Sequence, residues 1–324
     1  MPHHRRRAAR LAAVVVAAAS AVQGLAACGS PTQPSAHPST PPSAQPSAQP
    51  SAPTTPAAGT PAPGGTTSRK PSSPTDGTFV VATFNTLGAW HTSRHGNKPW
   101  MASGAVRTHR MVRVLRKHRV DIVGLQEFEG VQARTFRRAA GHLYAFWHPK
   151  DDPVNAIAWR RDRFALVGTR TQTLRYFAGG VRRMPLLLLR DRRTGHEFWV
   201  MNVHNPADTR RFPGQQRWRA IDMARELRTV HRLQRTTGKP VLVTGDMNEH
   251  HSAFCTLTRT RLLHAAAGGS RGRHCRPPSY HQVDWIMGTP EVSFTGFTVD
   301  HSRLVRRTTD HDVIVSRARI GTRG

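Results

Sequence analysis

The sequence predicts a layered α/β sandwich behind an N-terminal export segment, and three observations point there. From residue 78 onward, short apolar runs of strand length alternate with amphipathic basic stretches. Hairpin signals are mixed with crossover helices, which suits packed layers better than a doubly wound sheet. The 247 residues that remain of 324 after the first 77 suffice for one large domain.

The segment before that domain has its own grammar. Residues 1–10 (MPHHRRRAAR) are basic, and residues 11–22 (LAAVVVAAASAV) are apolar and too short to span a bilayer comfortably. A charged stretch followed by a short apolar one reads as a secretory signal. It closes with Leu25-Ala26-Ala27-Cys28-Gly29, which resembles a bacterial lipoprotein signal and implies cleavage before Cys28 and lipidation of its thiol. An ordinary cleaved signal with an incidental cysteine stays open. Residues 29–77 are nearly all Ser, Pro, Ala, Thr, Gly and Gln, with no apolar surface to offset ordering entropy. The expected organisation is a signal over 1–27, a disordered tether over 28–77 and a folded domain over 78–324. The protein is then exported, secreted or held at the cell surface, meeting a membrane only through Cys28.

Charge narrows the partners without naming a reaction. Setting aside six basic residues before position 78, and Asp76, leaves 42 Lys and Arg against 18 Asp and Glu, a formal charge of +24. A field of that sign favours polyanions such as nucleic acid, teichoic-type polymers or anionic lipid. With Cys28 assigned to the lipid, Cys255 and Cys275 are the remaining pair, and in an oxidising compartment they are expected to form a disulfide.

Along the domain, residues 79–84 (FVVATF) read as a buried strand. Residues 105–119 place Val106, Met111, Val112 and Leu115 on one helical face, with Arg and Lys elsewhere. Residues 120–125 form the next strand, and 156–159 and 164–167 read as a strand pair around Arg160-Arg161-Asp162-Arg163. Residues 184–189 and 198–203 flank a hairpin signal at 191–195. Residues 213–235 predict a long helix with Trp218, Ile221, Ala224, Leu227 and Leu233 inward. Residues 240–244, 283–287 and 312–315 complete the strands.

Polar residues recur at the strand ends: Asn85, Glu127, His204, Asp246 with Asn248, Asp284, and Asp310 with His311. Open sheets present side chains to a crevice beyond their strand ends in this way. Carboxylates beside an amide suit a hard, oxygen-seeking cation such as Mg²⁺, with Mn²⁺ or Ca²⁺ as alternatives. The histidines add proton transfer near neutral pH.

FNTLGAW (84–90), VDIVGLQEFEG (120–130), NVHNPAD (202–208), VLVTGDMNE (241–249), VDWI (283–286) and TTDHDVIV (308–315) resemble, in order, the signatures of the endonuclease/exonuclease/phosphatase superfamily. The resemblance spans essentially all of 78–324. It implies a four-layer α/β sandwich, two facing mixed β-sheets between helices, and Mg²⁺-dependent phosphoester hydrolysis. Asn85, Glu127 and Asp310 would sit at the metal. His204, Asp246, Asn248, Asp284 and His311 would be catalytic, with Asp246 at the attacking water and Asp284 fixing the His311 ring. The implied substrate is the phosphodiester of DNA or RNA, and the protein is expected to be a monomer. A phospholipid or sphingomyelin phosphodiesterase and a non-catalytic polyanion-binding surface protein are the alternatives. Two departures are minor: Thr309 and Val313 stand where the family often has Ser and Pro. Arg160, Arg161, Arg182, Arg183, Arg210 and Arg211, in loops between the strands, are the candidate phosphate contacts.

Overall fold

In a computed structural model, which describes residues 77–272 and 274–321, the apolar runs resolve into two sheets. The expected signal, and all but the last residue of the expected tether, lie outside the described residues. Chain order is β1 (Phe79–Asn85), α1 (Gly104–Lys117), β2 (Ile122–Gln126), α2 (Gly130–Ala140), β3 (Tyr144–Trp147), β4 (Ala156–Arg160), β5 (Phe164–Arg175), β6 (Val181–Asp191), β7 (Glu197–His204), α3 (Gln216–Thr237), β8 (Val241–Asp246), α4 (His251–Thr258), β9 (His264–Ala265), β10 (Asp284–Gly288), β11 (Val292–Asp300), α5 (Arg303–Arg306) and β12 (Val313–Ile320).

Each sheet has six strands, ordered β11-β12-β1-β2-β4-β3 and β5-β6-β7-β8-β10-β9. Both are mixed: β1 pairs parallel with β2, and β7 parallel with β8, while the other neighbours run antiparallel. The parallel pairs are those joined through a helix, since parallel strands need a long crossover. Each central strand is covered on both faces, which is why β1, β2 and β8 read as continuous apolar runs. The two-residue period still sorts them. Phe79, Val81 and Ile122 belong to the core shared with the second sheet. Ala82, Phe84, Val123 and Leu125 pack with Met111 and Leu115 of α1 and Phe136 of α2. The four-layer sandwich expected from the sequence is the architecture observed.

One polar bolt crosses the apolar interface. Asn202 of β7 donates to the backbone carbonyls of Leu125 (2.9 Å) and Ala156 (3.1 Å) in the other sheet. Its Oδ1 accepts from Gln126 Nε2 (2.6 Å) and Thr244 Oγ1 (3.2 Å). Gly124 is the other half of this contact: a Cβ there would strike both Thr244 Oγ1 and Asn202 Oδ1. The bolt fixes how the two sheets align at the end where β1, β2, β7 and β8 terminate.

Several sequence expectations need correction. Residues 156–159 and 164–167 are strands but not a pair, because β4 hydrogen-bonds to β2 and β3 while β5 begins the second sheet. Helix α2, begun by a reciprocal cap between Glu129 and Gln132, was not anticipated, nor were β3 and β11. Val106 of α1 is exposed, whereas Arg107 is buried. The long helix starts at Gln216, and Ile221 faces outward. The expected disulfide is present: Cys255 of α4 is bonded to Cys275 with Cα atoms 5.5 Å apart.

Helix α3 is unusual in which charges it buries. Asp222 and Glu226 are both fully buried. Asp222 accepts from the Arg175 backbone N–H at 2.7 Å, whereas Glu226 has only the Asn205 side chain to offset its burial. Burial, helped by the neighbouring Asp222, pushes the Glu226 carboxyl up to about 8. Its folded value exceeds its unfolded one, so the cost of ionisation is absent below the ordinary carboxyl range and grows as pH rises toward 8. Glu226→Gln is therefore expected to raise Tm by several degrees at pH 8.5 and hardly at all at pH 4.5. Equal shifts at both pH values in thermal unfolding would show that Glu226 is not held protonated.

Candidate active site

The two parallel strand pairs end side by side, and their last residues form the site. Asn85 closes β1 and is in register with Gln126, the residue before Glu127. His204 closes β7 in register with Asp246, the last residue of β8. Asp284 opens β10 opposite Asp246. Glu127 has φ of 55°, a left-handed conformation that costs energy for any residue with a Cβ and turns its carboxylate out of the strand. Asn248, with φ of 48°, does the same after β8.

Asn85 joins the sheets chemically. Its Nδ2 donates to Glu127 Oε1 (3.1 Å) and to Asp246 Oδ2 (3.0 Å), while its Oδ1 accepts from the Leu87 N–H (3.0 Å), which orients the amide. Glu127 Oε2 accepts from the Gly88 N–H at 2.8 Å and meets His91 Nε2 at 3.2 Å. Burial alone would raise the Glu127 carboxyl. The His91 hydrogen bond, the His204 and His91 charges and the Gly88 amide hold it far below the usual range instead. The same hydrogen bond to Glu127 raises His91.

On the other side of Asp246, two imidazoles aim at one oxygen. His204 Nε2 lies 3.6 Å and His311 Nε2 3.8 Å from Asp246 Oδ2. Asp246 Oδ1 accepts from the Asn248 N–H (2.8 Å), and Asn248 Nδ2 donates to the Asn205 carbonyl (2.7 Å). His311 Nδ1 is 2.8 Å from Asp284 Oδ2. Burial would lower His311, but the charge and hydrogen bond of Asp284, followed by Asp246 and Asp310, raise it well above its ordinary value. Thr309, the residue in place of the family's Ser, uses its hydroxyl to bond the Asn85 carbonyl at 2.7 Å.

These groups lie within the span, residues 82–311, that matches the endonuclease/exonuclease/phosphatase family model. The chain belongs to that family. Among solved structures it is similar to an endonuclease/exonuclease/phosphatase family protein of Bacteroides thetaiotaomicron, at 19% identity and a TM-score of 0.60 over 74% of this chain and 94% of that one. It is similar to the mannosyl-6-phosphatase of the same organism, at 17% identity and 0.56 over 74% and 99%. D. rerio TDP2 in complex with a single-strand DNA product matches at 14% identity and 0.54 over 75% and 99%. At these identities the likeness is one of fold. No curated protein sequence matches. Membership makes this chain a phosphoester hydrolase of the endonuclease/exonuclease/phosphatase superfamily.

Two buried arginines brace this family site, and neither was anticipated. Arg107 donates to the carbonyls of Ala102 (3.0 Å), Gly88 (3.2 Å) and Thr308 (3.1 Å) as well as Thr86, tying the loops beneath Asn85 and Asp310 together. Arg219 bonds Glu249 (2.7 Å), the Pro206 carbonyl (2.9 Å) and Asp208 (2.7 Å), fixing the turns after His204 and Asp246. Asp310 is ion-paired with Lys98. His91 and Lys98 sit in the connection between β1 and α1, and neither was among the candidate residues.

A cavity of about 440 Å³ opens beside Glu127 and His204. Arg182, Arg210 and Arg211 line it, together with Trp90, Tyr176 and Phe177. Arg182 lies over the Tyr176 ring, 5.1 Å from its centroid, and pairs with Asp152 at 2.8 Å. Of the six arginines expected at phosphates, these three reach the cleft. Arg160 pairs with Asp162, and Arg161 bonds the carbonyls of Gly141 and Tyr144, at the opposite end of β4 from the site. Arg183 pairs with Asp151.

Two places can hold a cation. Ligand atoms of Asp246, Asp284 and His311 lie within 4.8 Å of one another. His311, however, already spends its Nδ1 on Asp284 and favours its protonated form, which opposes metal ligation. Glu127 offers the oxygens of a carboxylate held far below the usual range, the hard donors that Mg²⁺ selects, while Asn85 orients it through Nδ2 and keeps its own Oδ1 on the Leu87 N–H. Asp284→Asn is expected to return the His311 imidazole toward its ordinary titration range, read by NMR of the ring nitrogens. An unshifted titration would show that Asp284 is not its counterion.

Proposed function

We propose that this chain is an exported, metal-dependent phosphodiesterase that cuts nucleic acid. One observation carries the reading: the Asn85–Glu127–Asp246–His204 cluster opens directly into a cavity walled by three arginines and three aromatic rings. Arginines suit backbone phosphates, and aromatic faces stack bases without regard to sequence. Export rests on the basic and apolar N-terminal stretches followed by Leu25-Ala26-Ala27-Cys28.

Glu127, oriented by Asn85 Nδ2 and with Asp310 on the same side, would hold the ion, and Mg²⁺ fits these carboxylate oxygens. A bound divalent ion supplies polarisation of a phosphoryl oxygen. The chain's own groups do the rest. Asp246 accepts a proton from, or orients, a water in the space it shares with His204 and His311, and Asn248 holds Asp246 in place through its backbone N–H. His311, kept protonated and oriented by Asp284, donates to a phosphoryl oxygen. His204, which lines the cavity, donates to the leaving oxygen.

The test is to incubate purified protein with plasmid DNA, RNA, sphingomyelin vesicles and a chromogenic phosphodiester, with and without EDTA. Cleavage of nucleic acid that EDTA abolishes is expected. Hydrolysis confined to sphingomyelin would overturn the substrate. Glu127→Gln removes a charge worth several kcal/mol to the transition state, so kcat should fall about a thousandfold with the fold intact. Near-normal turnover of that variant at saturating Mg²⁺ would sink its assignment.

A further inference from the structure

A cavity of about 880 Å³ lies away from the active site, against the outer side of α3. A second of about 440 Å³ lies on the other flank of the same helix. Arg228 and Arg232 line both, so they form the ridge between two grooves. Arg235 and Arg261 add to the first groove and Arg175 to the second. The one carboxylate lining either groove, Glu291, accepts from Gln234 at 3.0 Å.

The charge on α3 is sorted by side. Its two acids, Asp222 and Glu226, are turned into the protein, and its outer side is left with cations. Among the described residues no ion pair within 4.0 Å forms at Arg228, Arg232, Arg235 or Arg261. Arg225, Arg228, Arg232 and Arg235 follow one another at three- and four-residue steps, so they stack along one helical face and repel one another. The helix dipole rewards Arg235 near the C-terminus but not Arg228 or Arg232 in the middle. Helix stability therefore does not account for this face.

Its position gives it a partner. The loop preceding α3 carries Arg210 and Arg211 to the catalytic cavity, so one connected segment bears both basic groups. Arg228 to Arg235 spans about 10 Å at 1.5 Å per residue, room for a few successive phosphates of one strand. In the first groove four arginines stand against three apolar residues, Leu227, Leu262 and Pro290, a balance that suits a phosphate backbone better than insertion into lipid.

We infer that the outer face of α3 is a second nucleic-acid-binding surface, an exosite that grips the phosphate backbone of the polymer while its scissile bond lies in the cavity. The identity of the polymer rests on the nuclease reading given above. The consequence is a protein that holds long substrates far better than short ones.

The experiment compares the parent with a triple variant, Arg228→Gln, Arg232→Gln and Arg235→Gln, after circular dichroism establishes equal folding. Binding to a DNA duplex longer than the groove is measured without divalent metal across a salt series, and turnover is measured on the chromogenic phosphodiester. Small-substrate turnover is expected to be unchanged. Duplex affinity should fall about tenfold, and the slope of log affinity against log salt should become shallower by about 2 to 3, as three phosphate contacts are lost. Equal affinity and slope in the two proteins would overturn the inference even if the parent cleaves DNA. A parent that binds duplex through these arginines yet cleaves no nucleic acid would support the exosite and reject the nuclease reading. Loss of binding to anionic phosphatidylglycerol vesicles with duplex binding intact would overturn it in favour of a lipid surface.

Discussion

A single amide group holds two carboxylates of the same sign together across the junction of two sheets. Asn85 Nδ2 gives one hydrogen to Glu127 of its own sheet and the other to Asp246 of the facing sheet. Two carboxylates this near each other repel strongly where water is scarce. The Gly88 amide and His91 relieve Glu127, and His204 and His311 relieve Asp246. Every other feature of the site presupposes that the two sheets meet in one alignment. Asn202 supplies it, because its four hydrogen bonds close only when β2 and β4 sit against β7 and β8 in that register.

The surroundings bear the cost of this arrangement. Residues with left-handed backbone at Leu87, Glu127 and Asn248 cost on the order of 1–3 kcal/mol each and persist only when neighbours determine them. Here the Asn85 side chain takes the Leu87 N–H, Asp246 takes the Asn248 N–H, Arg107 gathers the loop carbonyls, and Arg219 ties the Pro206 carbonyl to Glu249 and Asp208. Removing Arg107 would take a donor from four loop carbonyls at once, and removing Arg219 would take one from the Pro206 carbonyl and from the Glu249 and Asp208 carboxylates.

The layered fold was legible because alternating apolar runs and crossover helices leave few ways to bury both sheet faces. The candidate residues were legible for a related reason: Asn85, Glu127, His204 and Asp246 each stand where an apolar run stops, and a polar residue there must face the crevice. What escaped was decided by contacts distant in sequence. Residues 156–167 read as a hairpin because local spacing cannot show that β4 turns back to β2 while β5 leaves for the other sheet. His91 and Lys98 acquire partners only when their loop folds over the strand ends. Arg107 looked like a solvent-facing helix residue, and only its backbone partners justify its burial.

The most direct test of this account is a double-mutant cycle between the sheets. Turnover is measured for Asn85→Ala, Asp246→Asn and the double variant under metal-saturating conditions. If Asn85 acts through the carboxylate it shares, the double variant should be within a few-fold of the slower single one, because the second substitution removes what the first already disabled. Losses that multiply would mean the two residues act independently, and the shared amide would not be what joins the two halves of the site.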